Sequence, residues 1–500
     1  MFILSSFTAT QAANFSVTTT ADNGAGSLRQ AINDATTNVS TNTITFNIAT
    51  GDSGFDAGTN RFTITLLSAL PDLPAENLTI ENTQVQDVSI AGDNTFRIFT
   101  LSNTAVITLT NLTIRNGASG FAAGKSFRKL SAKNFGVVND GLGGGIFVGD
   151  SATLTLNDCT VSNNSASING GAIYLNNSST MFLNRTTLNG NSAIDGAGIF
   201  VGISGTLNAD ASTLNNNAAS GSGGGIFNGP SGTVNATNST FNANSAAGNG
   251  GGISNAATIN LFNNTISSNT ADSGGGVYNG FNAATLQNNI VALNTATTGN
   301  DLFGGTSGGA GYSGTYNMIG NADGSAGVSD APNRSGSTAA PIDPMLGPLQ
   351  DNGGVTFTRA LLASSPAIDK GNSTVILLDQ RGVPRPTDYP SVPNEGGNGA
   401  DIGAVEFQLG PTAALVSVSG QITVWNGKTT AAVSGATVYL TDSNGNMISA
   451  RTNPFGYYFF PEVLAGESYV AGVRYKRYQF ESRLVTVEDE MTDLNFVANQ

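Results

Sequence analysis

Between residues 143 and 296 the apolar and polar positions fall into a long period rather than into helices or simple alternation. Six glycine-rich clusters each end on a β-branched residue: Gly143-Gly-Gly-Ile146, Gly170-Gly-Ala-Ile173, Gly196-Ala-Gly-Ile199, Gly223-Gly-Gly-Ile226, Gly250-Gly-Gly-Ile253 and Gly274-Gly-Gly-Val277. The step from Ile146 to Ile173 recurs almost unchanged up to Ile253 and shortens slightly before Val277. A second marker keeps the same beat, an apolar residue followed three positions later by asparagine: Val161/Asn164, Leu188/Asn191, Leu214/Asn217, Phe241/Asn244, Ile266/Asn269 and Val291/Asn294. Two markers on one period predict a stacked repeat. Short alternating runs between them, such as Thr153–Leu156 and Thr258–Leu261, read as strands. About three strands in about 25 residues describe one turn of a parallel β-helix, with coils about 4.8 Å apart and the matched asparagines stacked as an amide ladder. The glycines allow corners with positive φ.

The pattern extends in both directions. Ser27-Leu-Arg-Gln30 reads as a capping box, and Leu28, Ala31, Ile32 and Ala35 follow at helical spacing, so one short helix is expected to cap the N-terminal end of the solenoid. Brief strands follow at coil-like intervals from Thr43–Ile48 to Leu112–Ile114. Residues Phe121 to Val138 interrupt them with Lys125, Arg128, Lys129 and Lys133 beside Phe121, Phe127, Leu130 and Phe135. Such an insertion either projects as a binding loop or packs its aromatics on the solenoid wall with its charges in water. Residues 1–13 form a short apolar run ending in small residues, expected to be a signal-peptide remnant. The solenoid is assigned to 14–341 and its ending region to 342–409. At this period some fifteen coils would make a rod on the order of 70 Å. Residues 411–500 read separately as seven short strands, with Asn444-Gly445 as a hairpin turn.

Composition narrows the function. Charged residues are only 11% and the net charge is −14, so the basic footprint of a nucleic-acid binder is missing. Histidine is absent and Cys159 is the single cysteine; imidazole chemistry, an intramolecular disulfide and a zinc set are excluded. No apolar run is long enough to cross a bilayer as a helix, so no transmembrane helix is expected. No cofactor or metal is called for.

The repeats resemble those of the polymorphic outer membrane proteins, whose markers are GGA[ILV] and FxxN; Phe241-Asn-Ala-Asn244 meets the second outright, whereas glycine often replaces the alanine of the first. The resemblance covers residues 140–296 and implies a right-handed parallel β-helix displayed at the cell surface, often as an adhesin. That hand also follows the usual crossover preference. The membrane barrel that ends proteins of that family has no counterpart here. Val17–Asp22 with Gly26-Ser-Leu-Arg-Gln-Ala-Ile32 is similar to the CSLREA domain of exported β-helix proteins, without its cysteine and with Gln30 in place of Glu. Asp343–Leu349, Asp351-Asn-Gly-Gly354, Ser365–Asp369, Asp379-Gln-Arg-Gly382 and Asp401-Ile-Gly-Ala404 resemble the choice-of-anchor domain. Thr452–Phe459 and Gly466–Val470 resemble the carboxypeptidase regulatory-like domain, which implies a small transthyretin-like β-sandwich without peptidase activity.

Parallel β-helices also include polysaccharide-degrading enzymes. The repeat block holds Asp150, Asp158, Asp195, Asp210 and Asp272 singly in different repeats, with Arg185 as its one basic residue. Catalytic carboxylates must approach within a few ångströms of one sugar ring, so enzyme activity is left open and not favoured. A sharper candidate is the column that follows each marker residue: Phe147, Tyr174, Phe200, Phe227, Ser254 and Tyr278. If the isoleucines point inward, these aromatics face out and can grip a sugar or a protein; if the small residues before them point inward, the aromatics are core. The leading expectation is an exported, extracellular or cell-surface, adhesin-like or display protein that binds surface glycans or proteins of a host or neighbouring cell. The alternative is a polysaccharide-binding or pectate-lyase-like degrading protein.

Overall fold

The computed structural model describes residues 12–120 and 141–500, apart from 39, 281, 283, 305–310, 329–330, 374, 390–391, 409–414, 426, 443–444, 465–466, 488–489 and 500. The signal-peptide run and the basic insertion 121–138 therefore lie outside the described residues, save for Ala12 and Ala13. Two compact units divide the chain at Phe407/Gln408.

The first unit is a parallel β-solenoid of about ten turns. Each full repeat carries four short strands, one more than the sequence pattern predicts. In one coil they are Ile146–Val148, Thr153–Asn157, Thr160–Ser162 and the two-residue Ser165–Ala166. Each pairs in register with its counterpart in the next coil, as in Ile146↔Ile173, Thr153↔Thr180, Thr160↔Thr187 and Ser165↔Ser192. Four sheets result. Sheet I contains Thr153–Asn157, sheet II Thr160–Ser162, sheet III Ile146–Val148 and sheet IV Ser165–Ala166; among the described residues sheet II has twelve strands and sheet III eight. The coils on either side of residues 121–140 pair directly, Val106–Thr110 with Thr153–Asn157 and Thr113–Arg115 with Thr160–Ser162.

Alternation puts Ile146, Val148, Leu154, Leu156 and Val161 inside, all fully buried, and later coils repeat the same rows. Three short strands with branched or leucine side chains supply a dry interior without any long run of apolar sequence. The first glycine of each cluster takes positive φ, from 57° at Gly143 to 72° at Gly223. The second position is glycine in five of the six clusters, and a β-carbon on Gly224 would lie 2.5 Å from the carbonyl oxygens of Gly251 and Ser245; the Gly196 cluster places Ala197 there instead.

The corner after each sheet II strand carries the expected ladder. Asn164, Asn191, Asn217, Asn244, Asn269 and Asn294 are buried, and each Nδ2 donates to the Oδ1 of the next at 2.8–3.0 Å. The ladder ends on Asp301, whose Oδ1 accepts from Asn294 Nδ2 at 2.8 Å and Asn294 N at 3.0 Å. A second ladder, unforeseen from sequence, runs through the corner between sheets I and II as Thr186, Ser212, Ser239, Asn264, Asn289 and Asn317. Cys159 heads it, its N–H donating to Thr186 Oγ1, and burial pushes its thiol up to about 12.

The helix α1, Leu28–Thr37, buries Leu28, Ala31, Ile32 and Ala35 as predicted and packs on the first two strands of sheet I, Ala13–Val17 and Asn42–Phe46. Only half of the capping box forms. Ser27 Oγ accepts from Gln30 N at 3.2 Å, while the Gln30 amide donates to Asp34 at 2.6 Å.

Fifteen coils was an overcount, because residues 346–407 do not stack. They run back over the outer face of sheet II as a strap. Ala404 N donates to Thr265 Oγ1 (3.0 Å), Thr240 Oγ1 donates to Gln380 Oε1 (2.6 Å) and Thr213 Oγ1 donates to the Phe357 carbonyl (2.6 Å). The strap also covers Ile290, Ala292 and Met318, which pack with Leu361, Ala367, Ile368, Ile402, Ala404 and Val405.

The second unit, residues 408–500, is strand-rich. Among its described residues are eight strands in two four-stranded sheets, with a separate apolar cluster of Val418, Ile422, Val438, Leu440, Tyr458 and Phe460 among others. The pairing of Thr437–Thr441 with Met447–Arg451 is the hairpin expected around Asn444-Gly445.

Candidate functional site: a polar trough beside an aromatic ladder

The marker isoleucines point inward, and the aromatics after them lie half-buried on the outside of sheet III. Phe147, Tyr174, Phe200 and Phe227 stack face to face, with centroids 5.6, 5.1 and 5.0 Å apart and ring planes within 10° of parallel. Ser254 breaks the column, and Tyr278 resumes it by stacking on Phe303 at 5.4 Å. Arg97 covers the other end, 5.0 Å above Phe147. The sequence column omitted Phe303, which the last sheet III pairing brings into line, and Arg97, which lies outside the period. Because the inner ring faces of each stack rest on neighbouring rings, the column turns mainly ring edges outward. A sugar stacks through its C–H face against an open aromatic face, and inside this ladder the faces are occupied.

A cavity lies on sheet II, where the strap stops short. Three outward rows cross the coils there. One runs Thr63, Ser89, Thr113, Thr160, Thr187, Thr213; a second runs Arg115, Ser162, Asn189, Asn215; the third places Arg61 beside Asp87. The strap covers the threonine row from Thr213 onward, whereas Thr113, Thr160 and Thr187 floor a trough of about 740 Å³. Arg61, Asp87 and Arg115 line one end, and Leu349, Val355 and Phe357 of the strap wall the other. Val355 and Phe357 are more than half exposed.

Two carboxylates reach the trough, and each has an arginine. Asp158 takes two bonds from Arg185, at 2.7 and 2.9 Å, and this pairing raises the Arg185 pKa. Asp87 meets Arg61 at 3.3 Å. Asn215 Nδ2 donates to Asn189 Oδ1 at 2.8 Å, and Asn242 Nδ2 to Asn215 Oδ1 at 2.9 Å. The surface thus presents hydroxyls, amides and guanidinium groups at coil spacing, the donor and acceptor types that recognise sugar hydroxyls. Of the acids singled out from sequence, Asp158 alone lines this trough. Asp195 instead accepts from Ser222 N (2.7 Å), and burial raises Asp210.

A second charge cluster sits inside the strap. Arg385 meets Glu406 at 3.3 Å with both side chains fully buried, and Arg381 clamps Asp379 at 2.6 Å. Asp401 N donates to Glu406 (3.0 Å), Glu406 N to Asp379 (2.9 Å) and Asp369 N to Asp401 (2.7 Å). Burial drives Asp401 and Glu406 above the ordinary carboxylate range. The motif pieces of 365–404 therefore converge on one knot that holds the strap closed.

No known protein family and no curated protein matches this chain. Among the described residues, no helix is long and apolar enough to cross a membrane.

Proposed function

We propose that this chain is an exported, cell-surface binding protein that holds an extended glycan in the sheet II trough, with the solenoid as its rigid support. One observation carries the reading: the threonine row that the strap engages through hydrogen bonds at Thr213, Thr240 and Thr265 continues uncovered through Thr113, Thr160 and Thr187. The strap bonds this row through a backbone carbonyl, a glutamine side chain and a backbone N–H, and the open half offers the same hydroxyls to a ligand. Coil spacing near 4.8 Å is close to the length of one pyranose unit, so successive sugars meet equivalent side chains. Binding is favoured over cleavage because both trough carboxylates are ion-paired to arginine, whereas a hydrolase needs one free as acid and one as base or nucleophile. In this reading the repeats are of the polymorphic outer membrane protein type, residues 342–409 are a choice-of-anchor module, and residues 411–500 are a transthyretin-like sandwich acting as a spacer.

The test is a panel of labelled linear glycans titrated against the purified protein by fluorescence polarisation, with glycan length measured after long incubation. Saturable binding without shortening is expected, and Ser162→Trp, which fills the trough floor, should abolish it. Shortened glycan would replace the binding reading with an enzymatic one. Binding untouched by Ser162→Trp would move the site off sheet II.

A further inference from the structure

The trough is chemically lopsided along its length. From Thr63 to Thr213 the row crosses five coil steps, on the order of 24 Å at strand spacing, enough for about five sugar units. At the far end stands the exposed apolar wall with Phe357. At the near end two arginines, Arg61 and Arg115, line the trough. Arg115 reaches back across the sheet, its Nε donating to Ser89 Oγ at 2.7 Å and its Nη2 to Thr63 Oγ1 at 3.4 Å. Both partners are neutral hydroxyls, and among the described residues Arg115 has no ion pair with a carboxylate. Arg61 bonds Asp87 through Nη2, while its own Nε is buried with no acceptor. A half-buried, fixed guanidinium without an anion is an incomplete arrangement, since such a group forms its strongest contacts as a paired fork on a carboxylate.

Resting on the glycan reading above, we infer that the trough selects acidic glycans: a uronate carboxylate sits on Arg115 beside Arg61, while a sugar further along lies with its C–H face against Phe357. The hydroxyl and amide rows between the two ends hold the intervening sugars without regard to charge. The anion is localised at one end, so one carboxylate in the right unit suffices for recognition. The overall negative charge of the chain disfavours anions that do not reach this end.

Two probes that differ only at C6 separate the parts of this proposal: a labelled pentamer of β-1,4-linked glucuronate, and cellopentaose. At low ionic strength the glucuronate pentamer should bind about tenfold or more tightly than cellopentaose, and the difference should shrink with added salt. Arg115→Met should weaken the glucuronate pentamer about tenfold or more and cellopentaose far less, so that most of the preference is lost. Arg115→Lys, which keeps the charge and loses the fork, should fall between them. Phe357→Ala should weaken both probes alike. Equal binding of the two probes to the native protein overturns the acidic-glycan inference and leaves the glycan reading standing. A preference that survives Arg115→Met overturns the placement of the carboxylate. Failure of both probes to bind overturns the inference together with the glycan reading it rests on.

Discussion

The buried amide ladder makes a quantitative demand on the fold, and Asn217 is where it is simplest to test. Its side chain is fully buried. Its Oδ1 accepts from Asn191 N (3.1 Å) and Asn191 Nδ2 (2.8 Å), and its Nδ2 donates to Leu188 O (3.1 Å) and Asn244 Oδ1 (2.8 Å). Asn217→Leu keeps the branched outline of the side chain and removes all four of its bonds. The Asn191 backbone N–H is then orphaned, as is one hydrogen of its amide, while Asn244 Oδ1 keeps a donor in the Asn217 N–H. A buried donor without a partner costs about 1–3 kcal/mol, so two of them imply a loss of about 2–6 kcal/mol. Asn215 is the control: it belongs to the half-buried ladder on sheet II, and water can replace its partners, so Asn215→Ala should cost about 0.5–1 kcal/mol. For a unit of about 400 residues, a loss of about 4 kcal/mol lowers the thermal midpoint by only about 5 °C. Urea unfolding followed by circular dichroism is therefore the better assay, paired with hydrogen exchange over peptides spanning residues 186–220. Exchange protection should fall first at Asn191. If Asn217→Leu proves no more costly than Asn215→Ala, the ladder does not stabilise the fold in the way argued.

Other consequences are open to measurement. Leu293 is 43% exposed and holds φ at 64°, in the corner column where other coils place Asn163, Gly190 and Asn216. Leu293→Gly should raise the urea midpoint by an amount equivalent to about 1 kcal/mol, and a lowered midpoint would show that strain is not the governing term. Ser254→Phe should fill the break in the aromatic column and add about 0.5–1.5 kcal/mol, with stronger near-ultraviolet circular dichroism; a loss of stability would mean that Phe227 and Tyr278 already close over the gap. Burial raises Asp301 from its ordinary 3.8 to about 6. Its contribution is therefore complete below about pH 4 and is lost as pH rises through about 6, by up to about 3 kcal/mol. Asp301→Asn should remove that component, so native-minus-variant stability should fall between pH 4 and pH 7; a flat difference would refute the shift.

The solenoid was legible because its signals repeat. One coil of Thr-Leu-Thr-Leu156 is ambiguous, but six coils with Ile146 and Asn164 equivalents on one period are not. The inward direction of Ile146 and Ile173 could not be separated from the opposite choice by alternation alone, since small residues precede them. The second ladder was hidden by its composition: Thr186, Ser212, Ser239 and Asn264 share a corner but not a residue type, and a hydroxyl or an amide can fill the same acceptor role. The trough is hidden for a different reason. It depends on Phe357 and Val355 meeting strands from the first half of the chain, and no local pattern reports a chain that reverses over its own surface. A signal was present nonetheless. Ile290-Val-Ala292 is apolar at every position where earlier strands read Thr-apolar-polar, which marks a strand covered on both faces.

That reversal also divides the solenoid mechanically. From Thr213 to Met318, sheet II is bound on its outside by a segment stitched to successive coils and locked by the Arg385–Glu406 and Arg381–Asp379 pairs. The described coils from Arg61 to Thr187 lie beyond the strap's hydrogen bonds at Thr213, Thr240 and Thr265. A stacked array peels from whichever end has fewer ties, so under tension or partial denaturation the strapped half acts as a clamp and the trough-bearing half as the compliant one. A ligand lying along Thr63 to Thr213 would splice across those free coils and lend them the reinforcement that the strap gives the rest.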